Sequence, residues 1–358
     1  MTGTAFDNER STGDERSTDD ERSTGDERST GDERTDAEPA GAGSGEAAAK
    51  DTVAVVAVTF SPGSSLTGFL DSLEQATDRE VEVLLADNGS SDGAPEAAAR
   101  RAGVRLISTG GNVGYGRAAN AGVAATSADW VVVANPDVVW EPGSLDELLA
   151  ATERWPRAGS LGPLIRQPDG QVYPSARALP TLGRGIGHAV CGWWWPSNPW
   201  SAAYRRENSE PTERTADWLS GSCLLLRRQA FESVGGFDPA YFMYFEDVDL
   251  GERLAATGWL NVYVPAAAVT HTGSHATSRH ASAMTSAHHH SAWLYFSRHY
   301  PGLRWLPLRL VVRLGLAVRE QLSLRIGGVS AGARPHGKQR RLPEDSNRMD
   351  NADKGKAG

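Results

Sequence analysis

The hydrophobic pattern of the chain changes abruptly at Val53. Positions 53–58 read V-A-V-V-A-V, a continuous apolar and mostly β-branched run that predicts a strand buried on both faces of a parallel sheet. Ser64 to Gln75 follows with Leu66, Phe69, Leu70 and Leu73 at spacings of three and four, which predicts a helix with one apolar stripe. The same alternation continues. V-E-V-L-L-A (81–86), V-R-L-I (104–107) and W-V-V-V-A (130–134) predict three more strands, and 95–102 and 117–125 two more helices. Strands alternating with helices from 53 to 150 specify a doubly wound α/β layer. In such sheets ligands sit outside the carboxyl ends of the strands. Those ends are Thr59–Gly63, Asp87–Asp92, Gly110–Gly116 and Asn135–Val138, and all four are rich in Asp, Asn, Gly or Ser. One polar strand end is ordinary, but four together describe a polar ligand site.

Before Val53 the pattern is the reverse. Residues 8–36 repeat a six-residue unit, D-E-R-S-T-G, that holds no apolar residue and cannot offset the entropy of ordering; disorder is expected there. Residues 37–49 continue as a small-residue linker. This segment also distorts the charge: residues 1–50 carry 14 acids and 6 bases, a net of −8 out of −9 for the 358 residues. The remainder is nearly neutral, and no basic field calls for nucleic acid. Hydrophobic content of 39% with 11 Trp is ample for a core. Cys191 and Cys223 are the only cysteines, too few for a disulfide framework, and fit a reducing compartment. The acidic N-terminus lacks the apolar region of a signal peptide, and no uncharged stretch of about 18 apolar residues predicts a membrane span.

Candidate chemistry concentrates in a few places. Y-F-M-Y-F-E-D-V-D-L (241–250) sets Glu246, Asp247 and Asp249 directly after an apolar and aromatic wall. Burial there raises carboxylate pKa values, as a general base for a sugar hydroxyl requires. An acidic helix start explains the same residues equally well. Asp87, in A-D-N-G-S-S-D-G, is either turn chemistry or an acceptor for a base or ribose. Gly110-Gly111-Asn112-Val113-Gly114-Tyr115-Gly116 invites a dinucleotide reading. Its G-x-x-G-x-G spacing and its place after the third strand exclude the Rossmann fingerprint, so NAD is set aside. Asn135-Pro136-Asp137 ends the fourth strand, and a carboxylate there suits a divalent cation shared with a diphosphate. His271, at the end of the apolar run 262–271, is a second candidate ligand, and His275 a third; an Asp/His mixture favours Mn²⁺ over Mg²⁺. His288-His289-His290 is read as an exposed or acceptor-facing turn, because adjacent residues on a helix point in different directions.

Taken in order, V-A-V-V-A-V-T-F, A-D-N-G-S-S-D-G, G-N-V-G-Y-G-R-A-A-N, N-P-D, W-L-S-G-S-C-L-L-L-R-R, G-G-F-D-P-A-Y-F-M-Y-F-E-D-V-D-L and His271 resemble family 2 inverting glycosyltransferases of the GT-A fold. The resemblance spans residues 53 to about 300. Within the family, A-N-P-D-V, R-A-G-S-L-G-P-L-I, V-Y-P-S-A-R and W-P-x-N-P-W resemble actinobacterial rhamnosyltransferases of cell-wall linker synthesis. Those move L-rhamnose from dTDP-L-rhamnose to N-acetylglucosaminyl-diphosphoryl-polyprenol at the cytoplasmic face of the membrane. Another nucleotide sugar, or another envelope lipid or polysaccharide acceptor, is the alternative within the same fold.

The resemblance implies an α/β, GT-A architecture, with a doubly wound nucleotide-binding half continuous with an acceptor-binding half around a mostly parallel sheet. It implies Asp87 as the reader of the base, with Thr59 and Phe60 beside it, and Asn112, Gly114 and Asn120 as loop contacts to the nucleotide. Asp137 matches the last residue of a D-x-D motif that holds diphosphate and metal, Mn²⁺ or Mg²⁺. Its first position is Asn135 here, a departure that weakens the cation site. The resemblance further implies that His271 completes the metal site, that Asp247 is the catalytic base, and that Trp218, Gly221, Ser222 and Glu246 line the acceptor side. Asp249 shares with Glu246 the work of positioning Asp247 or binding acceptor.

Residues 303–326 carry five Arg against one Glu, interleaved with Leu and Val at near-helical spacing. Such a helix suits an anionic membrane interface, and a lipid-linked acceptor favours that reading over a helix packed on the catalytic domain. The expected organisation is a tail and linker at 1–50, the GT-A domain at 51–300, a basic amphipathic helix at 301–328 and a disordered tail at 329–358. The expected location is peripheral, on the cytoplasmic face of the membrane.

Overall fold

The computed structural model describes residues 51–180, 211–273 and 281–332, without side chains for 281–283 and 322–332. The acidic repeats, Cys191, the Trp-rich stretch around 193–200, His275 and residues 333–358 lie outside the described residues. The described residues all fall within one compact unit, Lys50–Gly358.

The predicted alternation is present. Strands β1 (Val53–Thr59), β2 (Glu82–Asp87), β3 (Val104–Ser108) and β4 (Trp130–Ala134) alternate with helices α1 (Ser65–Ala76), α2 (Ala94–Ala98) and α3 (Tyr115–Ala124). Helix α2 is shorter than its sequence predicts: Gly103 turns at φ 75°, and the chain closes after Ala98 to enter β3. Next come β5 (Val138–Trp140), α4 (Ser144–Arg154), β6 (Ala158–Arg166), β7 (Val172–Tyr173), β8 (Ala176–Arg177), β9 (Arg214–Ala216), β10 (Trp218–Leu219) and β11 (Cys223–Arg227). The last elements are α5 (Arg228–Ser233), α6 (Glu246–Ala256), β12 (Leu260–His271), α7 (Ala281–His299), a 3₁₀ turn at Leu303–Trp305 and α8 (Leu306–Gly332).

The main sheet runs β3-β2-β1-β4-β11-β6-β12-β5, with β7 beside β6 and β9 beside β12. Pairs β2–β3, β1–β2, β1–β4 and β6–β12 are parallel. Strand β11 lies antiparallel between β4 and β6 and so splices the two halves into one sheet. Alternate residues of β1 serve opposite faces, as a strand's period of two requires. Val53, Val55 and Ala57 pack under α1 and α4, while Ala54, Val56 and Val58 pack under α3, α5 and α6. Both faces being covered, the central strands carry almost no polar side chain until their carboxyl ends, and there the polar residues converge.

Candidate active site

At the end of β1 and β2, the Asp87 carboxylate accepts hydrogen bonds from the Thr59 hydroxyl (2.9 Å), the Gly89 N–H (3.2 Å), and the Ser90 N–H and hydroxyl. It is buried and stitches the turn to the neighbouring strand end. Asn88 extends the stitch: its side chain donates to the Gly114 carbonyl (3.2 Å) and accepts from the Val113 N–H (3.0 Å). Asn112, exposed, accepts from the Gly114 N–H at 3.2 Å, and Phe60 is half-buried beside this cluster. Gly114 has φ +93°, and a Cβ there would drive into the Phe242 carbonyl. Only glycine lets the loop approach that closely. Asn120 has a different employment from its neighbours, because both ends of its amide bond the Phe237 backbone, donating at 2.8 Å and accepting at 2.9 Å.

A second cluster forms at the turn between β4 and β5, where β5 pairs with the end of β12. Asp137 Oδ1 lies 3.1 Å from His271 Nε2, and Asn135 Nδ2 lies 3.1 Å from the same nitrogen. Thr272 fixes the Asp137 backbone, donating N–H and hydroxyl to its carbonyl, each at 3.1 Å. A carboxylate and an imidazole brought together from two strand ends fit a divalent cation that draws its remaining ligands from a diphosphate. Among the described residues no group of three His, Cys, Asp or Glu could hold a cation alone.

The third cluster holds Asp247. Tyr244 and Phe245 both take left-handed backbone, φ 67° and 66°, unusual for bulky residues and costing about 1 kcal/mol or more each. That turn delivers Glu246 and Asp247 to the first turn of α6. Asp247 Oδ2 accepts from the Gly221 N–H at 2.9 Å and Oδ1 from the Val248 N–H at 2.9 Å. Burial raises the Asp247 carboxyl above its ordinary range, while the two amides and the Arg177 guanidinium oppose the rise. Glu246 has less help, a single backbone hydrogen bond. Its Oε2 is buried without a hydrogen-bond partner, and burial with the neighbouring Asp247 charge pushes it up to about 8. Two buried carboxyls side by side cannot both ionise near neutral pH. Asp247, with its amide donors and Arg177, gives up its proton first. Asp249 pairs instead with Arg253 (2.6 Å), which also holds the carbonyls of Val234 and Gly236.

Gly221 joins the clusters. Its N–H serves Asp247, and its carbonyl accepts from the Tyr115 hydroxyl at 2.6 Å. The next residue, Ser222, accepts from the Asn135 N–H at 2.9 Å. The Tyr115 N–H bonds the Phe242 carbonyl at 2.9 Å. One residue of the glycine loop therefore ties the β3–α3 connection to both the Asp247 loop and the Gly221 loop. Tyr115 and Arg177 are the functional candidates that the sequence reading left without a role; a lone aromatic amid glycines was the available signal for Tyr115. Trp218 spends its indole N–H on the Ala178 carbonyl and lies 5.3 Å from the Arg177 guanidinium. Residues 288–290 are helical, not a turn: His288 packs edge-on against Tyr244 and Phe245, and His289 is buried. Cys223 is a buried free thiol whose pKa burial drives far upward, which leaves it unreactive.

The family model for glycosyl transferase family 2 matches residues 54–235, the span that carries the first cluster, Asn135 and Asp137 of the second, and Gly221. The chain belongs to that family. An N-acetylglucosaminyl-diphospho-decaprenol L-rhamnosyltransferase of Mycobacterium tuberculosis is 55% identical over 287 residues, covering 77% of this chain and 94% of that protein. Rhamnosyltransferase WbbL of Escherichia coli is 28% identical over 254 residues, 69% of this chain and 93% of that protein. Among solved structures, a mannosyltransferase of Pyrobaculum calidifontis in complex with GDP-Man and Mn²⁺ superposes at TM-score 0.48 and 17% identity, over 80% of this chain and 82% of that one. This family 2 glycosyltransferase has the GT-A fold, a mixed and mostly parallel sheet continuous across both halves.

Proposed function

We propose that this glycosyltransferase moves L-rhamnose from dTDP-L-rhamnose to an N-acetylglucosaminyl-diphospho-polyprenol, with inversion at the anomeric carbon. The reading is carried by the 55% identity over 94% of a relative named for that transfer. The site supplies the chemistry. Asp247 is the general base: each of its oxygens accepts one backbone N–H, which holds the carboxylate still and leaves further lone pairs for an acceptor hydroxyl. It takes the hydroxyl proton as that oxygen attacks the anomeric carbon, the bond to dTDP breaks, and the proton stays on Asp247. No enzyme nucleophile is needed, consistent with a buried, unreactive Cys223.

Glu246 remains protonated at neutral pH and can donate a hydrogen bond to the acceptor sugar. Thr59, Phe60, Asp87, Asn112 and Gly114 form the wall against which the nucleotide lies, and Trp218, Gly221 and Ser222 border the acceptor. Asp137 and His271 would hold Mn²⁺ or Mg²⁺, which supplies neutralisation of charge on the departing diphosphate. The acceptor places the enzyme at the cytoplasmic membrane surface. No helix of the described residues is long and apolar enough to cross a membrane.

The test is incubation of the full chain with dTDP-L-rhamnose, Mn²⁺ or Mg²⁺ and a short-chain, water-soluble N-acetylglucosaminyl-diphospho lipid. A rhamnosyl product is expected, with free dTDP inhibiting more strongly than UDP. No rhamnosyl product, together with product from a different nucleotide sugar, would overturn the donor assignment.

A further inference from the structure

Most of the strongly exposed large apolar side chains of the described structure lie in one short segment. Leu303 is 86% exposed, Leu310 58%, Val311 67% and Leu314 66%, with Leu306 and Val318 also exposed. On α8, Leu306, Leu310, Leu314 and Val318 recur every four residues, so they form one stripe that turns slowly about the helix. The opposite face is occupied: Leu308, Val312 and Leu316 are half-buried where α8 packs along α7, and Arg309 lies 5.7 Å from the Trp293 ring. The outer stripe stays largely open to solvent among the described residues.

Charge identifies what covers the stripe. Arg304, Arg313 and Arg319 are exposed around it, and residues 303–319 contain no acid. A second copy of this face would bring arginines against arginines. The acidic repeats at 8–36 offer charge but no apolar side chain to match the leucines. A bilayer with anionic headgroups offers both, an apolar layer for Leu and Val and phosphates for Arg.

The mounting of this face connects it to chemistry. Helix α7 is fixed to the loop that delivers Asp247: Ser291 donates to the Met243 carbonyl at 2.8 Å, Tyr295 packs with Tyr241, Val248 and Phe245, and His299 reaches Glu252 of α6 at 2.7 Å. We propose that the outer face of Leu303–Val318 is a docking surface for an anionic lipid bilayer, rigidly mounted through α7 on the Asp247 loop so that the site is held at a fixed position over the membrane. This deepens the proposed function and rests on it for the lipid-linked acceptor, but vesicle binding needs neither donor nor acceptor and is read separately.

The experiment is co-sedimentation of the full chain with vesicles of phosphatidylglycerol and phosphatidylcholine, against phosphatidylcholine alone. Wild type is expected to partition onto the anionic vesicles and to be released by salt. The double variant Leu310→Asp/Leu314→Asp is expected to lose binding on the order of a hundredfold. Its circular dichroism and its turnover with the short-chain soluble acceptor are expected to stay as in wild type, with the loss confined to acceptor embedded in anionic vesicles. The proposal is overturned if wild type stays in the supernatant, whether because a segment of its own chain or a second copy covers the stripe. It is also overturned if the double variant binds as wild type does. Absence of rhamnosyl product with intact vesicle binding would instead sink the assigned reaction and leave the docking surface standing.

Discussion

The strand-end turns of residues 59–137 and the loop region of residues 218–247 handle their polar groups in opposite ways. In the first, the carboxylates of the β2 turn are answered. Asp87 is bonded by Thr59, Gly89 and Ser90, and the Asp92 oxygens take the Gly63 and Ala94 N–H groups. In the second, Glu246 keeps a buried oxygen without a partner, Asp247 is raised by burial, and the preceding two residues sit in left-handed backbone. A fully satisfied cluster is rigid and cheap to keep, which suits a surface that must receive a nucleotide unchanged. An unsatisfied buried carboxyl costs stability, and persists where a reaction uses it. The contrast supports the proposed division, binding in the first region and proton transfer in the second, and it can be broken by experiment.

The largest effect expected is at Asp247. In Asp247→Asn the amide cannot take the acceptor proton, and kcat should fall on the order of 10³-fold. The affinity for dTDP, measured by calorimetry, should stay within about twofold, because the answered turns of the nucleotide half are untouched. Retained turnover would show that proton transfer lies elsewhere. Loss of dTDP binding would show that the two regions are not separable.

Glu246 gives the next effect. Glutamine is the isostere of its protonated form, so Glu246→Gln should hold turnover within several-fold at neutral pH, whereas Glu246→Ala should lose on the order of tenfold or more with the sugar contact. The wild-type rate should rise as Asp247 loses its proton and fall as pH passes about 8, where Glu246 ionises and can no longer donate to the acceptor sugar. The Gln variant should lack that alkaline fall. Stability carries the same signature with a defined sign. The folded pKa of Glu246 is raised above the ordinary 4.5, so the protonated native form is favoured; stability is greatest below about 4.5 and declines as pH climbs toward about 8. Thermal melts of Glu246→Gln should lose much of that decline, a gain on the order of 1–3 kcal/mol at pH 8. An unchanged alkaline limb would remove Glu246 from the reaction.

These residues were legible in the sequence to different depths. Strands β1, β2 and β4 are visible because a sheet covered on both faces demands apolar, β-branched runs, and their polar carboxyl ends follow from the same rule. The Glu246-Asp247 pair is visible because acids after an aromatic wall are costly. What joins them is not. Strand β11 enters the sheet antiparallel between β4 and β6, and nothing in C-L-L-L-R sets that direction. Asn135 meets His271 across 136 positions of sequence, and Tyr115 meets Gly221 across 106. Such pairings are products of topology, so Asp87 could be read as turn or ligand with equal ease until its donors were seen. Arg177 was hidden for the same reason, since its effect on Asp247 depends on β8 pairing with β10.

The smallest effect tests the seam between the two regions. Tyr115 belongs by sequence to the glycine loop, yet its hydroxyl donates to Gly221, whose own N–H holds Asp247 Oδ2. Tyr115→Phe keeps the ring and its edge contact with Phe237 and removes only that donor. A part-buried carbonyl left unpaired costs about 1–2 kcal/mol of stability. Freed on one side, the Gly221 peptide should hold Asp247 less firmly, and kcat should fall several-fold while the KM for donor stays put. If Tyr115 were instead a wall of the nucleotide site, the donor KM would move and kcat would not. That split, measured in one variant, decides whether the loop is a passive cradle or the brace that keeps a satisfied binding region and an unsatisfied catalytic region in register.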